Sequence, residues 1–410
     1  MYAIIKNAQC HGLVCTIIMR KVYRRNNVFE GIDIMSVYLD NAATTKPCRD
    51  AVDAMIAALN ENYGNPSSLH KMGLNAQIAV DDARKSIGNS LGCAGECIYF
   101  TSGATESNNL AVRGAVSVYG KRRKKIIVSS VEHASVAETM NELEKNGFEI
   151  VRIHPGKDGI FDPYDFINAA DDNTCLISIM LVNNETGHIL PVKEVFNAVK
   201  RKFPDIITHS DCVQGFMKIP IKASSINADL ISLSGHKIHA SKGIGALYIK
   251  KGIRLNPIVT GGKQEKGIRS GTESVPLISG FKAAVDKLSP TIDQRLEKAF
   301  GLRKYLIKEL LKIDGVKINS PDDGSPYILN ISAAGRRSEI MLHYLEQHEI
   351  YVSSGSACSK GANSGVLAEF GVSARDSDSA VRVSFTADNT EEELLQFVCA
   401  LKMGIEKIKT

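Results

Sequence analysis

Residues 98–109 read Ile98-Tyr99-Phe100-Thr101-Ser102-Gly103-Ala104-Thr105-Glu106-Ser107-Asn108-Asn109. A short apolar run ends at Thr101, small residues make a turn, and good capping side chains open a helix. A strand–turn–helix step of this kind is the unit of an alternating α/β fold. The alternation extends both ways. Upstream, 50–60 and 76–91 carry Ala, Ile, Val and Leu at helical spacing. Downstream, 125–129, 149–153, 176–181, 207–210, 230–233 and 246–249 are short apolar or β-branched runs. Helix-length stretches such as 135–146 and 192–202 lie between most of them. The pattern predicts a large α/β domain over 46–290, with a mostly parallel sheet covered on both faces. The last two runs flank 235–245 and could pair antiparallel. Ligands of such sheets gather at the carboxyl ends of the strands. Beyond Pro290 the texture changes. A long amphipathic helix over 296–313, short strands over 327–331, 351–353 and 381–384, and a closing helix over 391–408 predict a smaller α+β domain.

Bulk properties narrow the function. A chain of 410 residues suits two domains, and 44% hydrophobic with 23% charged residues is ordinary globular composition. The net charge is +5. Lys6, Arg20, Lys21, Arg24 and Arg25 against Glu30 and Asp33 put +3 of it before residue 36. The near-neutral remainder gives no case for nucleic-acid binding. The run Lys121-Arg122-Arg123-Lys124-Lys125 is expected to be a solvated loop before a strand; a docking patch for an acidic partner is the sharper reading. The apolar run Gly12–Met19 is too short to span a bilayer and no A-x-A cleavage pattern follows it. Residues 1–34 are expected to be an extension outside the fold. Nine cysteines at irregular spacing give no disulfide framework and no zinc pattern, which points to a reducing, cytoplasmic compartment and no metal.

Three motifs carry chemistry. At Thr101–Asn109, backbone N–H groups of a helix start and nearby hydroxyls suit a phosphate. Alone, this is only a capped helix. In Ile207-Thr208-His209-Ser210-Asp211-Cys212-Val213-Gln214, a carboxylate just past a strand end can pair with a protonated ring nitrogen, with Gln214 in reach of the same ligand. Alone, such an Asp is usually a cap. In Ser234-Gly235-His236-Lys237, a lysine closes a buried strand ahead of a Gly-rich turn. Desolvation there would free its amine for Schiff-base chemistry. Phosphate cradle, acid and amine in this order are what pyridoxal 5'-phosphate requires.

At this point the sequence resembles the cysteine desulfurases of the class V aminotransferase group, which are fold type I pyridoxal-phosphate enzymes. The markers are Tyr38–Thr45, Gly64–Ser68, Thr101–Asn109, Val182–Gly187, Ser234–Lys237, Arg269–Thr272 and Ser353–Cys358. The resemblance runs from Val37 to the C-terminus. It implies a seven-stranded, mostly parallel sheet, with 36–45 joining 291–410 in the small domain. It implies Lys237 as the Schiff-base lysine, Asp211 on the pyridine nitrogen, Gln214 on the ring hydroxyl and His133 stacked on the ring. Ala104, Thr105, Ser234 and His236 would hold the phosphate. Thr272 would reach the phosphate of the other subunit, implying a homodimer. Asn184 and Arg382 would bind the substrate carboxylate. Cys358, in a small polar loop, would take the sulfur of L-cysteine as a persulfide and pass it to an acceptor protein for iron–sulfur cluster assembly or for tRNA or thiamine thiolation. A class V aminotransferase without thiol chemistry and a selenocysteine lyase are the rivals. Cys212, where alanine is usual, and Val383-Ser384-Phe385 after Arg382 depart from the commonest pattern.

Overall fold

The computed structural model describes residues 36–333, 335–354 and 365–408. The strands in chain order are β1 (Val37–Tyr38), β2 (Ile98–Thr101), β3 (Lys125–Ser129), β4 (Glu149–Ile153), β5 (Thr174–Ser178), β6 (Ile207–Asp211), β7 (Leu230–Ser234), β8 (Gly245–Ile249), β9 (Val316–Ile318), β10 (Ile328–Ala333), β11 (Ile350–Tyr351), β12 (Ser353–Ser354) and β13 (Ala380–Ser384). A seven-stranded sheet has the order β2-β8-β7-β6-β5-β3-β4. Its pairs are parallel except those of β8, which runs antiparallel to both neighbours. The expected antiparallel pairing around 235–245 is therefore present.

The central strands β5, β6, β7 and β8 are buried at every residue, as strands covered on both faces must be. The cover is supplied by amphipathic helices. In Val192–Lys202, Val192, Val195, Phe196 and Val199 form the buried stripe, and Lys200, Arg201 and Lys202 sit at the electronegative helix end. β5 begins at Thr174 rather than 176, because Thr174 pairs with Lys125 of β3. Helix Lys71–Leu91 begins five residues before the expected 76. The His70 ring accepts from Gly73 N, capping its start. The basic run before β3 is largely engaged: Arg123 pairs with Asp205, Lys125 with Asp171 and Glu149, and Lys124 lies over the Phe148 ring.

A second sheet, β12-β13-β10-β9, packs with helices Ile292–Leu310, Ser338–Glu346 and Glu391–Lys407 around its own apolar core of Leu306, Leu329, Val383 and Phe397. A capping box of Thr390 and Glu393 starts the last helix. β1 pairs with β11, so the first described strand joins this second unit.

The edge pair β2–β8 depends on backbone contact. Thr101 stands opposite Gly245, and a Cβ on Gly245 would meet Gly103 backbone atoms at 2.7 Å. Gly245→Ala should therefore destabilise the protein by about 1–3 kcal/mol through overpacking. A urea midpoint equal to that of the wild type would contradict this reading of the contact.

Candidate active site

The chain just beyond the carboxyl ends of β6 and β7 meets the segment 40–45, and there Gln214 and Lys237 converge. β7 ends at Ser234, and the short helical turn Gly235–Lys237 directs Lys237 inward. Its Nζ donates to the carbonyls of Ala42 at 2.5 Å and Ala43 at 2.6 Å. Both acceptors are neutral backbone carbonyls. Gln214 Nε2 donates to the same Ala42 carbonyl at 2.9 Å. The cradle is fixed from behind: Asn41 Nδ2 donates to Ser384 O, Ala42 N to Ser384 Oγ, and Thr45 N and Oγ1 to the carbonyl of His236.

Asp211 ends β6 and is buried. Its Oδ1 accepts from Val213 N at 3.0 Å and its Oδ2 from Asn108 Nδ2 at 2.7 Å. Asn108 also donates to Ser135 Oγ at 2.8 Å, and Ser135 Oγ lies 2.8 Å from His133 Nδ1. Ser135 N donates to that same Nδ1. The nitrogen is thus an acceptor, which assigns the proton of a neutral ring to Nε2. A polar chain links Asp211 through Asn108 and Ser135 to His133.

The phosphate candidates lie beside it. Helix Ala104–Tyr119 begins just beyond β2, with Ala104 partly buried and Thr105 exposed. Glu106 accepts from Ser102 N and from the guanidinium of Arg269. Burial works against this carboxylate, and those donors outweigh it, so its pKa falls. Ser234 is buried and its Oγ has no partner. His236 Nδ1 meets Thr44 Oγ1 at 3.2 Å, and burial with the neighbouring lysines pushes its pKa down to about 4.

A family model of class V aminotransferases matches residues 37–397. The chain belongs to the class V aminotransferase family. Its relatives there include the cysteine desulfurase IscS of Dictyoglomus turgidum, 39% identical over 378 residues, 91% of this chain and 95% of that protein. A solved NifS-like protein superposes with a TM-score of 0.86 at 35% identity, over 91% of this chain and all of the other. SspA, solved in complex with cysteine, gives 0.77 at 31% identity, over 87% of this chain and all of the other. The sheet and site described above therefore sit in a family member matched over most of its length, and the chain is an enzyme of the cysteine desulfurase group.

In this class V aminotransferase the remaining expected residues divide. Arg382, on β13, is buried; its Nη1 donates to the Asn184 carbonyl at 3.0 Å and its Nη2 to Asp40 at 2.8 Å. Arg382 and Asn184 are thus together, and Asp40 joins them. Arg382 Nε is buried without a partner. Thr272 is exposed in a separate cavity of about 290 Å³ with Leu59, Tyr63 and Asn65. Cys358 lies outside the described residues, between Ser354 and Gly365.

Asp40, Asn108, Ser135 and the Ala42 and Ala43 carbonyls were not singled out from sequence. Asp40 and Asn108 lie inside quoted motifs, and Ser135 follows His133 by two. Glu132 is a further buried group: its Oε1 accepts from Ser129 Oγ at 2.6 Å and Met180 N at 2.7 Å. Burial, aided by the nearby charge of Asp211, raises its pKa from the usual 4.5 to about 8. Folding therefore takes up a proton at Glu132 between these values. Its stabilising contribution is full below about 4.5 and is lost as pH rises through about 8. Glu132→Gln should flatten the loss of stability between pH ~5 and ~8. Urea midpoints that decline equally in both proteins would show that Glu132 does not titrate this way.

Proposed function

We propose that this enzyme removes the sulfur of L-cysteine, releases L-alanine and carries the sulfur as a persulfide on Cys358, with pyridoxal phosphate held at Lys237. The observation that carries the reading is the inward amine of Lys237, gathered with Gln214 on one carbonyl and with Asp211 and His133 at the same strand ends. The residues present fit the cofactor. Ser234 Oγ is a buried donor with nothing to bond, which a phosphate oxygen would satisfy. The Ala104 and Thr105 N–H groups belong to a first helical turn without intrahelical acceptors. When bound, the cofactor supplies an electron sink for the substrate's α-carbon.

The chain's own residues do the rest. Lys237 moves the α-proton, and Asp211 holds a proton on the ring nitrogen with Asn108 fixing its carboxylate. His133, its Nδ1 engaged by Ser135, offers Nε2 to the reacting face. Arg382 and Asn184 orient the substrate carboxylate. Cys358 forms an S–S bond to the substrate sulfur as the substrate C–S bond breaks, and the carbon takes a proton to give alanine. The relative SspA was solved with cysteine, which supports the substrate. Ser353 pairs with Arg382 across β12 and β13.

The persulfide passes by thiol exchange to an acceptor protein, an iron–sulfur scaffold or a tRNA or thiamine thiolation protein. We assign a homodimer in which Thr272 serves the partner's phosphate. Leu59 and Tyr63 line the cavity with Thr272 and expose large apolar side chains, which suits a second copy. We place the enzyme in the cytoplasm. Cys48, Cys93, Cys97, Cys175 and Cys212 are free thiols, whereas Cys399 is disulfide-bonded. Among the described residues no helix is long and apolar enough to cross a membrane.

Cys358→Ala should lose sulfide release, about a hundredfold or more, with the cofactor still bound. Wild-type turnover of cysteine in that variant would remove Cys358 as the nucleophile. Lys237→Ala should lose the visible absorbance of the lysine-linked cofactor; a retained band would refute the lysine assignment. Product analysis separates the rivals: alanine without stoichiometric keto acid excludes an aminotransferase, and a strong preference for selenocysteine over cysteine would favour a lyase.

A further inference from the structure

Lys218 is a buried amine that the proposed chemistry leaves unused. It follows Gln214 by four residues, directly after Met217, whose φ is +58°. Only 8% of the residue is exposed. Its Nζ donates to Gln214 Oε1 at 2.7 Å, and no carboxylate pairs with it among the described residues. The charged groups that act on it, Lys237 and Arg382, carry its own sign, and His236 and His239 also feel its field. Lys218 and Lys237 line one small cavity with Tyr327.

We infer that Lys218 is a positioning residue that turns the Gln214 amide, so that Gln214 faces the cofactor's ring oxygen only as a donor. The inference rests on the reading that pyridoxal phosphate is held at Lys237. A lysine in its ammonium form has donors and no acceptor. It therefore selects the oxygen of Gln214. The opposite amide orientation would set an NH2 group against the ammonium and an oxygen against the Ala42 carbonyl, two repulsive contacts in place of two hydrogen bonds. With Oε1 taken by Lys218 and one Nε2 proton taken by Ala42, the second Nε2 proton is the free one. A donor there stabilises a deprotonated ring oxygen. It also draws electron density from the Lys237 linkage, and the charge of Lys218 acts in the same direction. Burial and the like charges lower the Lys218 pKa to about 7, and the orienting ammonium is the form held below that pH.

The test is a pH titration of visible absorbance in the cofactor-loaded protein, which a merely structural lysine would not move. Lys218→Met should raise the midpoint of the lysine–cofactor transition by about one pH unit, a tenfold change in proton affinity. Lys218→Arg keeps a donor and should stay near the wild type. In a Gln214→Leu background, Lys218→Met should shift the midpoint by less than half as much, because the amide it orients is gone. A Lys218→Met midpoint equal to that of the wild type, with the band intact, overturns the inference. If Lys218→Met does not fold, Gln214→Leu alone decides: an upward shift supports the inference and an unchanged midpoint sinks it. Failure of the underlying reading looks different, since the wild type would then show no band that Lys237→Ala abolishes.

Discussion

The hydrogen bonds from Lys237 to the carbonyls of Ala42 and Ala43 join two parts of the chain 194 and more residues apart, and the candidate site is organised around them. A lysine at the end of a buried strand has two alternatives, to reach solvent or to find acceptors. The carbonyls of Ala42 and Ala43 supply two neutral acceptors. The segment 40–45 can offer those carbonyls because its other polar groups are committed elsewhere, on Ser384 and on the backbone of His236. The second sheet thus reaches the end of β7 through one short segment that turns at residues 41–43. Displacing that stretch would loosen Lys237 and Gln214 together.

The other half of the site is set by packing of strand ends against one helix. Asp211 needs donors because it is buried, and Asn108 supplies one from the second turn of helix Ala104–Tyr119. The same amide reaches Ser135, which fixes the tautomer of His133. An acid expected to serve a ring nitrogen and a histidine expected to lie on the ring are therefore not independent. A change at Asn108 alters both, although it need touch neither ligand nor substrate.

Much of this was readable in the sequence, for a physical reason. Strands buried on both faces are near-continuous apolar runs, so β3, β6, β7 and β8 were located within a residue. The start of β5 was hidden because Thr174 is polar yet fully buried, its hydroxyl satisfied by the Asp171 carboxylate. The start of helix Lys71–Leu91 was hidden because Gly73 interrupts the periodic pattern. Its reason is spatial, since a Cβ there would collide with the backbone carbonyl of Ser68. Lys237, Asp211 and Gln214 were visible as motifs at strand ends. The chain through Asn108 and Ser135 was not, because its links cross 103 and 27 residues of sequence. Lys218 had a local signal, the helical-type spacing of four from Gln214, but no motif gave it a task.

Arg382 shows how the two sheets share one electrostatic problem. A guanidinium this buried is costly without a partner, and breaking such a pair typically costs about 3–5 kcal/mol. Asp40 supplies the charge and the Asn184 carbonyl a second acceptor. Asp40 lies two residues before Ala42, so one short segment neutralises the arginine and cradles the lysine. The pairing does not exhaust Arg382. Of its five N–H donors these two bonds use two, and its Nε remains without a partner. Asp40 therefore holds the guanidinium plane in place.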